Sequence, residues 1–173
     1  AIEGSDYWAT TDQSLFTHFW SLGVEEQFYL VWPLLLLLVV RLRRSALPWA
    51  IAAVLAVSLV ASVVVTSVSQ PWAFYGLPTR AWEFAVGGLV ALVPAARVPH
   101  RLSVALSWAG VVTIAAATLL LTEGLAYPGA WAVIPVAGAA LALLGLDRPG
   151  SFTAIAGLRP VRYLGDISYS LYL

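Results

Sequence analysis

The stretch His18-Phe-Trp-Ser-Leu-Gly-Val-Glu-Glu-Gln-Phe-Tyr-Leu-Val-Trp-Pro33 places two adjacent carboxylates, Glu25 and Glu26, inside a segment that is otherwise typical of a membrane helix. An unbroken apolar run, Leu34 to Val40, follows it directly. The 22 residues from Phe19 to Val40 measure about 33 Å at helical rise, which is enough to cross the hydrocarbon core of a bilayer. Charges at that depth are costly and normally face a protein interior or a water-filled cavity, so we expect these glutamates to have a functional role.

The composition of all 173 residues favours a membrane protein. Hydrophobic residues make up 61% and charged residues 10%, with a mean hydropathy of +0.86, whereas a soluble domain has roughly 45–50% apolar and a quarter charged residues. The apolar residues come in blocks of membrane-spanning length, and most blocks are apolar on every side. The absence of cysteine excludes disulfide and zinc–thiolate frameworks, and the near-zero formal charge argues against a nucleic acid partner.

The apolar blocks and prolines predict an all-α, polytopic transmembrane helical bundle with five full spans and the start of a sixth. Pro48 suits a first helical turn, Pro94 ends the third apolar run, and Asp166 is of the residue type that caps a helix N-terminus. The predicted helices cover residues 19–40, 48–69, 80–93, 102–121, 130–146 and 166–173. Because the chain has no Met and stops within an apolar run, we expect a single integral-membrane domain, 1–173, truncated at both ends.

The basic residues predict the orientation of this bundle. All nine are arginines, and with alternating helices eight of them fall on one side and only Arg80 on the other. Under the positive-inside rule the arginine-rich side is cytoplasmic. We therefore expect a multi-pass protein of the inner (plasma) membrane, in which the residue 1 side and the loops 70–79 and 122–129 are periplasmic or extracellular. The eight cytoplasmic residues are Arg41, Arg43, Arg44, Arg97, Arg101, Arg148, Arg159 and Arg162.

One face of the first predicted helix is polar. Its members, at spacings of three, four and four positions, are His18, Ser21, Glu25 and Tyr29. Glu26 lies about 80° round the helix from that line. A histidine within hydrogen-bond reach of a carboxylate has the arrangement that general acid–base catalysis requires. The structural alternative is an interfacial His18 and glutamates that pair with Arg80 to hold helices together.

Two further groups of polar residues allow both a functional and a structural interpretation. Arg80 and Glu83 are an i,i+3 pair at the outer end of the third helix, and they fit either an anionic substrate group or a local ion pair. Ser168 and Tyr169 lie near the cytoplasmic start of the last helix, where interfacial tyrosines also occur without function. The sequence has no nucleotide-binding glycine loop, metal-ligand cluster or nucleophile elbow.

The residues alone therefore predict a polytopic membrane protein with a polar, acidic site that opens outward. An enzyme, a transporter or flippase, and a membrane scaffold all remain possible functions. A transporter or flippase would also use intramembrane carboxylates, together with alternating access to the two sides of the membrane. In a scaffold, neutralising both glutamates would cost only stability.

The opening stretch closely resembles the hallmark segment of the membrane acyltransferase-3 family, which includes O-acetyltransferases of bacterial polysaccharides. Three further stretches resemble family motifs in the same order: Asp6-Tyr-Trp8, Tyr75-Gly-Leu-Pro-Thr-Arg-Ala-Trp-Glu83 with Gly87, and Leu164-Gly-Asp-Ile-Ser-Tyr-Ser-Leu-Tyr-Leu173. Tyr127-Pro-Gly129 also resembles a loop of polysaccharide-acetylating members. The resemblance covers essentially the whole chain.

The resemblance implies an O-acyltransferase, acetyltransferase-like, that takes an acyl group from cytosolic acyl-CoA and delivers it to a hydroxyl of a carbohydrate or lipid-linked glycan at the outer face. Acyl-CoA would be a donor substrate, and no bound cofactor or metal is expected. The family's first helix, with a catalytic Arg and His, would lie upstream of Ala1, so we expect this segment alone to be inactive. Site residues implied by the resemblance and by the polar faces are His18, Glu25 and Glu26 as catalytic, Ser21, Tyr29, Arg80 and Glu83 as substrate-binding, and Ser168 and Tyr169 near the acyl-CoA entrance.

Overall fold

Helices are the regular secondary structure throughout the part of the chain that the computed structural model describes, namely the backbone of residues 19–94, 97–121, 127–146 and 149–172. Side chains are described in the same ranges except at residues 19–26, 169, 171 and 172. The all-α prediction is confirmed for these ranges. The helices are α1 (Phe19–Arg43), α2 (Leu47–Val68), α3 (Gln70–Tyr75), α4 (Leu77–Ala91), α5 (His100–Leu120), α6 (Val133–Leu144), α7 (Thr153–Ala156) and α8 (Arg159–Tyr172).

Two stretches of the described chain are long and apolar enough to cross a membrane. They are Gln27–Val68, which contains α2 and most of α1, and His100–Leu120, which is α5. Only 22% of each apolar window is buried, whereas a core helix of a soluble protein is mostly buried. A shorter apolar helix covers Ala130–Leu144, and α4 has 15 residues, below the roughly 17 that a span needs. The prediction of five full spans is therefore not confirmed.

Two stretches that lie between the predicted helices, 70–79 and the residues before 166, contain helical residues instead. The 70–79 region forms α3 and the start of α4, since Pro71 and Pro78 each occupy an early helical position where proline is tolerated. The prediction that Asp166 caps the last helix is wrong. Helix α8 begins at Arg159, with Pro160 in its first turn, so Asp166 lies within the helix. In both regions the helix begins in polar, proline-containing sequence that the search for apolar runs passes over.

The described chain divides into two compact units. Of the described residues, the first unit contains 19–85 and 127–131, and the second contains 86–94, 97–121, 132–146 and 149–172. In the first unit α1 and α2 are joined by a short 3-10 turn, Arg44–Ala46, and they contact each other. Phe28 of α1 is only 7% exposed and stacks on Phe84 of α4, with ring centroids 3.7 Å apart. These contacts bring α4 against the first two helices.

Helix α2 buries hydroxyl groups and exposes valines. Its buried residues are Ile51, Ser58, Ser62 and Thr66. Ser58, Ser62 and Thr66 follow each other at intervals of four and therefore share one face. The exposed valines lie on the other sides of the helix, at Val57, Val60, Val63, Val64 and Val68. This distribution is the reverse of that in a soluble protein and suits a helix whose outer surface meets lipid.

In the second unit, α5 and α6 make close contact through small residues. A Cβ at Gly110 would meet the backbone nitrogen of Ala142 and the carbonyl of Gly138, and it would lie 2.9 Å from the Ala142 Cα. Gly87 has the sequence spacing of a packing surface, but a Cβ there has no heavy atom of the described chain within 4 Å. The close small-residue packing of this unit therefore lies between α5 and α6 rather than at Gly87.

Candidate functional site

The predicted catalytic residues lie where the structure gives little side-chain information. His18 lies outside the described residues. Glu25 and Glu26, like Ser21, lie on the backbone of α1, but their side chains are outside the described part. Tyr29 is 66% exposed, beside the buried Phe28, so the structure places it away from the packed side of α1. The catalytic assignments therefore stay predictions.

Arg80 and Glu83 form the ion pair that their spacing predicts. Arg80 Nη2 lies 3.3 Å from Glu83 Oε2, and Arg80 Nε donates to Glu83 Oε1 at 3.4 Å. Both distances exceed the 2.7–2.9 Å that is typical of a tight charge-assisted hydrogen bond. The side chains are 30% and 20% exposed. The Arg80 Cζ also lies 6.0 Å from the centroid of the Phe74 ring, at the outer limit of a cation–π contact.

Ser58 of α2 fixes the first turns of α4, which carry the ion pair. Its hydroxyl donates to the Pro78 carbonyl at 2.6 Å and accepts from the Trp82 backbone N–H at 2.9 Å. An α-helix would join these two backbone groups directly, so the hydroxyl bridges an i to i+4 pair of the helical ladder. Thr79 Oγ1 lies 2.7 Å from both the Ala73 and the Gly76 carbonyls and ties α4 to α3. The backbone that presents Arg80 and Glu83 is thus held by hydroxyl groups on both sides.

The segment Tyr127–Gly129 attaches to the same helices. Gln70 Nε2 donates to the Tyr127 carbonyl at 2.8 Å, and the Gly129 N–H donates to Thr66 Oγ1 at 3.1 Å. The Thr66 hydroxyl in turn donates to the carbonyl of residue 62 at 2.6 Å. The rings of Tyr127 and Phe74 have centroids 6.5 Å apart. The structure therefore brings a loop that is distant in sequence against α2 and α3.

Tyr127 completes a cluster with Arg80 and Glu83. Burial raises the pKa of the Tyr127 phenol above its ordinary value, the negative charge of Glu83 raises it further, and Arg80 acts in the opposite direction. Tyr127 is half-buried as a residue, and its phenol hydroxyl makes no hydrogen bond among the described residues. We call Arg80, Glu83, Tyr127 and Phe74 the outer cluster, after the outward orientation that the arginine pattern predicts for this end of the helices.

Sequence reasoning missed Tyr127 and Phe74 as members of this site. The positive-inside argument placed loops 70–79 and 122–129 on the same side as Arg80, and this signal could have found both residues. It could not supply the hydrogen bonds of Gln70 and Thr66, because nothing in a single sequence pairs positions almost sixty apart.

The predicted acyl-CoA residues are not assembled into a site by the structure. Ser168 is exposed, and its hydroxyl donates to the Gly165 carbonyl of its own helix at 2.7 Å. The Tyr169 side chain lies outside the described part. Within the described ranges, no three His, Cys, Asp or Glu residues lie close enough to hold a metal ion. The assignment of Ser168 and Tyr169 also stays a prediction.

The helices, the membrane-capable stretches and the half-buried polar cluster together indicate the class of protein, which is a membrane protein with a polar site. The sequence profile described as an acyltransferase domain, that of the acyltransferase-3 family, matches residues 2–173. This chain belongs to that family.

Three curated relatives illustrate the family. A Komagataeibacter xylinus protein that carries the name membrane-bound transacylase BcsY is 30% identical over 91% of this chain and 40% of its own length. A Bacillus subtilis protein named as peptidoglycan O-acetyltransferase YrhL is 30% identical over 89% of this chain. The Listeria monocytogenes peptidoglycan O-acetyltransferase OatA is 28% identical over 89% of this chain, and the chain spans 27% of the length of each of these last two relatives. No solved structure matches the chain.

Proposed function

We propose that this chain is the membrane-embedded part of an O-acyltransferase that moves an acyl group, acetyl in the simplest case, from cytosolic acyl-CoA to a hydroxyl of a cell-envelope carbohydrate at the outer face. The observation that carries the proposal is the family match over residues 2–173, with two relatives named as peptidoglycan O-acetyltransferases. A lipid-linked glycan is an equally suitable form of the acceptor. The bilayer then separates donor from acceptor, and the helices connect the two sides.

The outer cluster supports an acceptor site on that face. It combines a guanidinium, a carboxylate and a phenol next to an aromatic ring, and all are partly buried. Carbohydrate hydroxyls both donate and accept hydrogen bonds, so they match this mixture of donors and acceptors. A small number of polar groups beside aromatic surface is also the usual composition of a small-molecule site.

The chemistry that we propose at the polar face of α1 is general base catalysis. A histidine, His18 or the one that the family resemblance places upstream, takes the proton of the acceptor hydroxyl while that oxygen attacks the acyl carbonyl, or it acts in an acyl relay that carries the acyl group from the donor side to the acceptor. Glu25 or Glu26 orients the imidazole and balances its positive charge. The thiolate of the donor is the leaving group, and it takes up the proton that the histidine received.

The test replaces Glu25 and His18 in the full-length protein. We expect Glu25→Gln and His18→Ala each to lower acyl transfer from labelled acyl-CoA to envelope glycan by at least about a hundredfold, which is the lower end of the contribution of general acid–base catalysis. The amount of protein in the membrane should be unchanged. Transfer is measured in membrane vesicles.

The chain offers a matched control, because it has two histidines and the other one, His100, is exposed at the start of α5. His100→Ala should retain wild-type transfer. Wild-type transfer by both Glu25→Gln and His18→Ala would contradict the site assignment. Glycan movement without acyl-CoA consumption would instead indicate a flippase.

A further inference from the structure

We propose that Tyr127 is an acceptor-binding residue, whose phenol hydroxyl forms a hydrogen bond with a hydroxyl of the carbohydrate acceptor beside Arg80. The inference rests on the proposed acyltransferase function and extends it to a residue and a substrate class at the outer cluster. Three features of the structure support it: the fixed position of the loop, the open hydrogen-bonding capacity of the cluster, and its aromatic surface.

The position of Tyr127 is fixed through its backbone rather than through its hydroxyl. Its carbonyl accepts from Gln70, and two residues further on the Gly129 N–H donates to Thr66. Pro128 and Gly129 are buried. These contacts hold the backbone that carries the side chain before any ligand arrives, and a group whose backbone is already held loses less entropy on binding. Because the two hydrogen bonds already hold the loop, the phenol hydroxyl is not needed for that purpose.

The cluster retains hydrogen-bonding capacity. The Tyr127 residue is half-buried, and its hydroxyl makes no hydrogen bond within the described ranges. Arg80 uses two nitrogens, Nε and Nη2, on Glu83, and a guanidinium has five N–H donors, so further donors remain within the described contacts. The long distances of the ion pair also mean that a ligand can replace part of it at little cost. A partly buried hydroxyl beside spare donors is a suitable place for a polar ligand group.

The surroundings favour a carbohydrate over other hydroxyl-bearing ligands. The phenol both donates and accepts, as a sugar hydroxyl does, and the guanidinium and carboxylate add one strong donor group and one strong acceptor group. The rings of Phe74 and Tyr127, with an angle of 57° between them, supply partly exposed apolar surface for the C–H face of a sugar ring. A simple alcohol would use only one of these groups, whereas a pyranose can use several together.

The experiment compares Tyr127→Phe with wild type in the full-length protein, reconstituted in vesicles that contain labelled acetyl-CoA. The acceptor is a preparation of soluble, uncross-linked peptidoglycan strands, which the names of two relatives indicate. We expect the KM for the strands to rise about three- to tenfold, the effect of losing one neutral hydrogen bond. The kcat and the KM for acetyl-CoA should stay at wild-type values, since phenylalanine keeps the ring contact and both backbone hydrogen bonds.

A matched control is Tyr163→Phe, which removes the same atom from an exposed tyrosine of α8. It should leave all three kinetic values unchanged. A Tyr127→Phe protein with wild-type KM for the strands, or with a lower kcat at unchanged KM, would contradict the role of Tyr127 alone. Wild-type protein that transfers no acetyl group to the strands would contradict the proposed function and, with it, this inference.

Discussion

At the scale of single residues, hydroxyl groups position the charged ones. The Ser58 hydroxyl bridges Pro78 and Trp82, and the Thr66 hydroxyl accepts from Gly129. Neither contact involves a charge, yet together they determine where Arg80 and Tyr127 lie. Hydroxyls suit this purpose in an apolar setting, because they satisfy backbone groups without the desolvation penalty of an ion.

Burial is the largest cause of the raised pKa of Tyr127, and the charges of Glu83 and Arg80 act on this pKa in opposite directions. Because Glu83 raises the pKa of Tyr127 and Arg80 lowers it, we expect Glu83→Gln to lower this pKa and Arg80→Gln to raise it. The measurement is the ultraviolet absorbance of phenolate during alkaline titration of detergent-solubilised protein. The chain has seven tyrosines, so the spectrum of Tyr127→Phe in the same background is subtracted. Equal midpoints in wild type and both variants would contradict the contact.

The same pKa shift predicts the direction of a stability effect. The folded-state pKa lies above the ordinary value of 10.0, so the stabilising contribution of the neutral phenol is fully present below about pH 10. It is lost as the pH rises through the raised pKa. Tyr127→Phe removes this pH-dependent part of the free energy of unfolding. The loss of this part therefore appears only at alkaline pH and not at neutral pH.

At the scale of helices, the small residues of α5 and α6 set how closely the two helices approach. Gly110, Gly138 and Gly145 all lie where a Cβ would meet atoms of the facing helix. Gly145, for example, would bring its Cβ to 2.7 Å from the Ser107 nitrogen. Close backbone approach of this kind is a main source of helix association in membranes, where no water is released from the interface.

We expect Gly110→Ala to destabilise the protein by about 1–3 kcal/mol, the usual cost of overpacking. The added methyl group meets backbone atoms of Ala142, which cannot rotate away as a flexible side chain would. Gly87→Ala is the matched control, since its methyl group meets no described atom, and we expect it to be neutral or slightly stabilising. The measurement is the midpoint of thermal unfolding in detergent. Equal midpoints for the two variants would contradict the packing.

The helices show which parts of the fold the sequence could predict. Apolar runs located α1, α2 and α5 to within a few residues, since an uninterrupted run of this length has few alternatives to a helix. The same method missed α3 and the first half of α8, because both begin in polar, proline-containing sequence. For the site, the i,i+3 spacing predicted the Arg80–Glu83 pair correctly, since that contact is local. The positive-inside rule put Tyr127 on the same side as this pair, but its contacts could not be predicted, because they join positions far apart in the chain.

At the scale of the whole molecule, the arginine count predicts how the helices are arranged across the bilayer. The structure contributes two membrane-capable stretches, and the first contains two helices joined by an exposed turn at Arg44–Ala46. Ser45 lies in this turn, and Ser69 lies just beyond the other end of α2. The 22 residues of α2 separate the two serines by about 33 Å, the thickness of a hydrocarbon core.

Cysteine labelling tests this arrangement, because the chain contains no cysteine. In the full-length protein with any other cysteines replaced, we expect Ser69→Cys to react with an impermeant maleimide added outside intact cells, whereas Ser45→Cys should react only after the cells are opened. This follows from the positive-inside rule applied to Arg41, Arg43 and Arg44. Labelling of Ser45→Cys but not Ser69→Cys from outside would reverse the topology.

The exposed valines of α2 and its buried hydroxyl residues should be under different evolutionary constraints. The outward valines are exposed within the described chain, so any apolar residue there would preserve affinity for lipid, and exchange among valine, leucine and isoleucine should be frequent during divergence. Ser58 and Thr66 must keep both their size and their hydroxyl, because those hydroxyls form hydrogen bonds with neighbouring backbone. In a helix of this kind, we expect substitutions to be frequent on the lipid-facing apolar side and rare on the buried polar side. Substitution rates in such a family would therefore be lowest at its least hydrophobic positions.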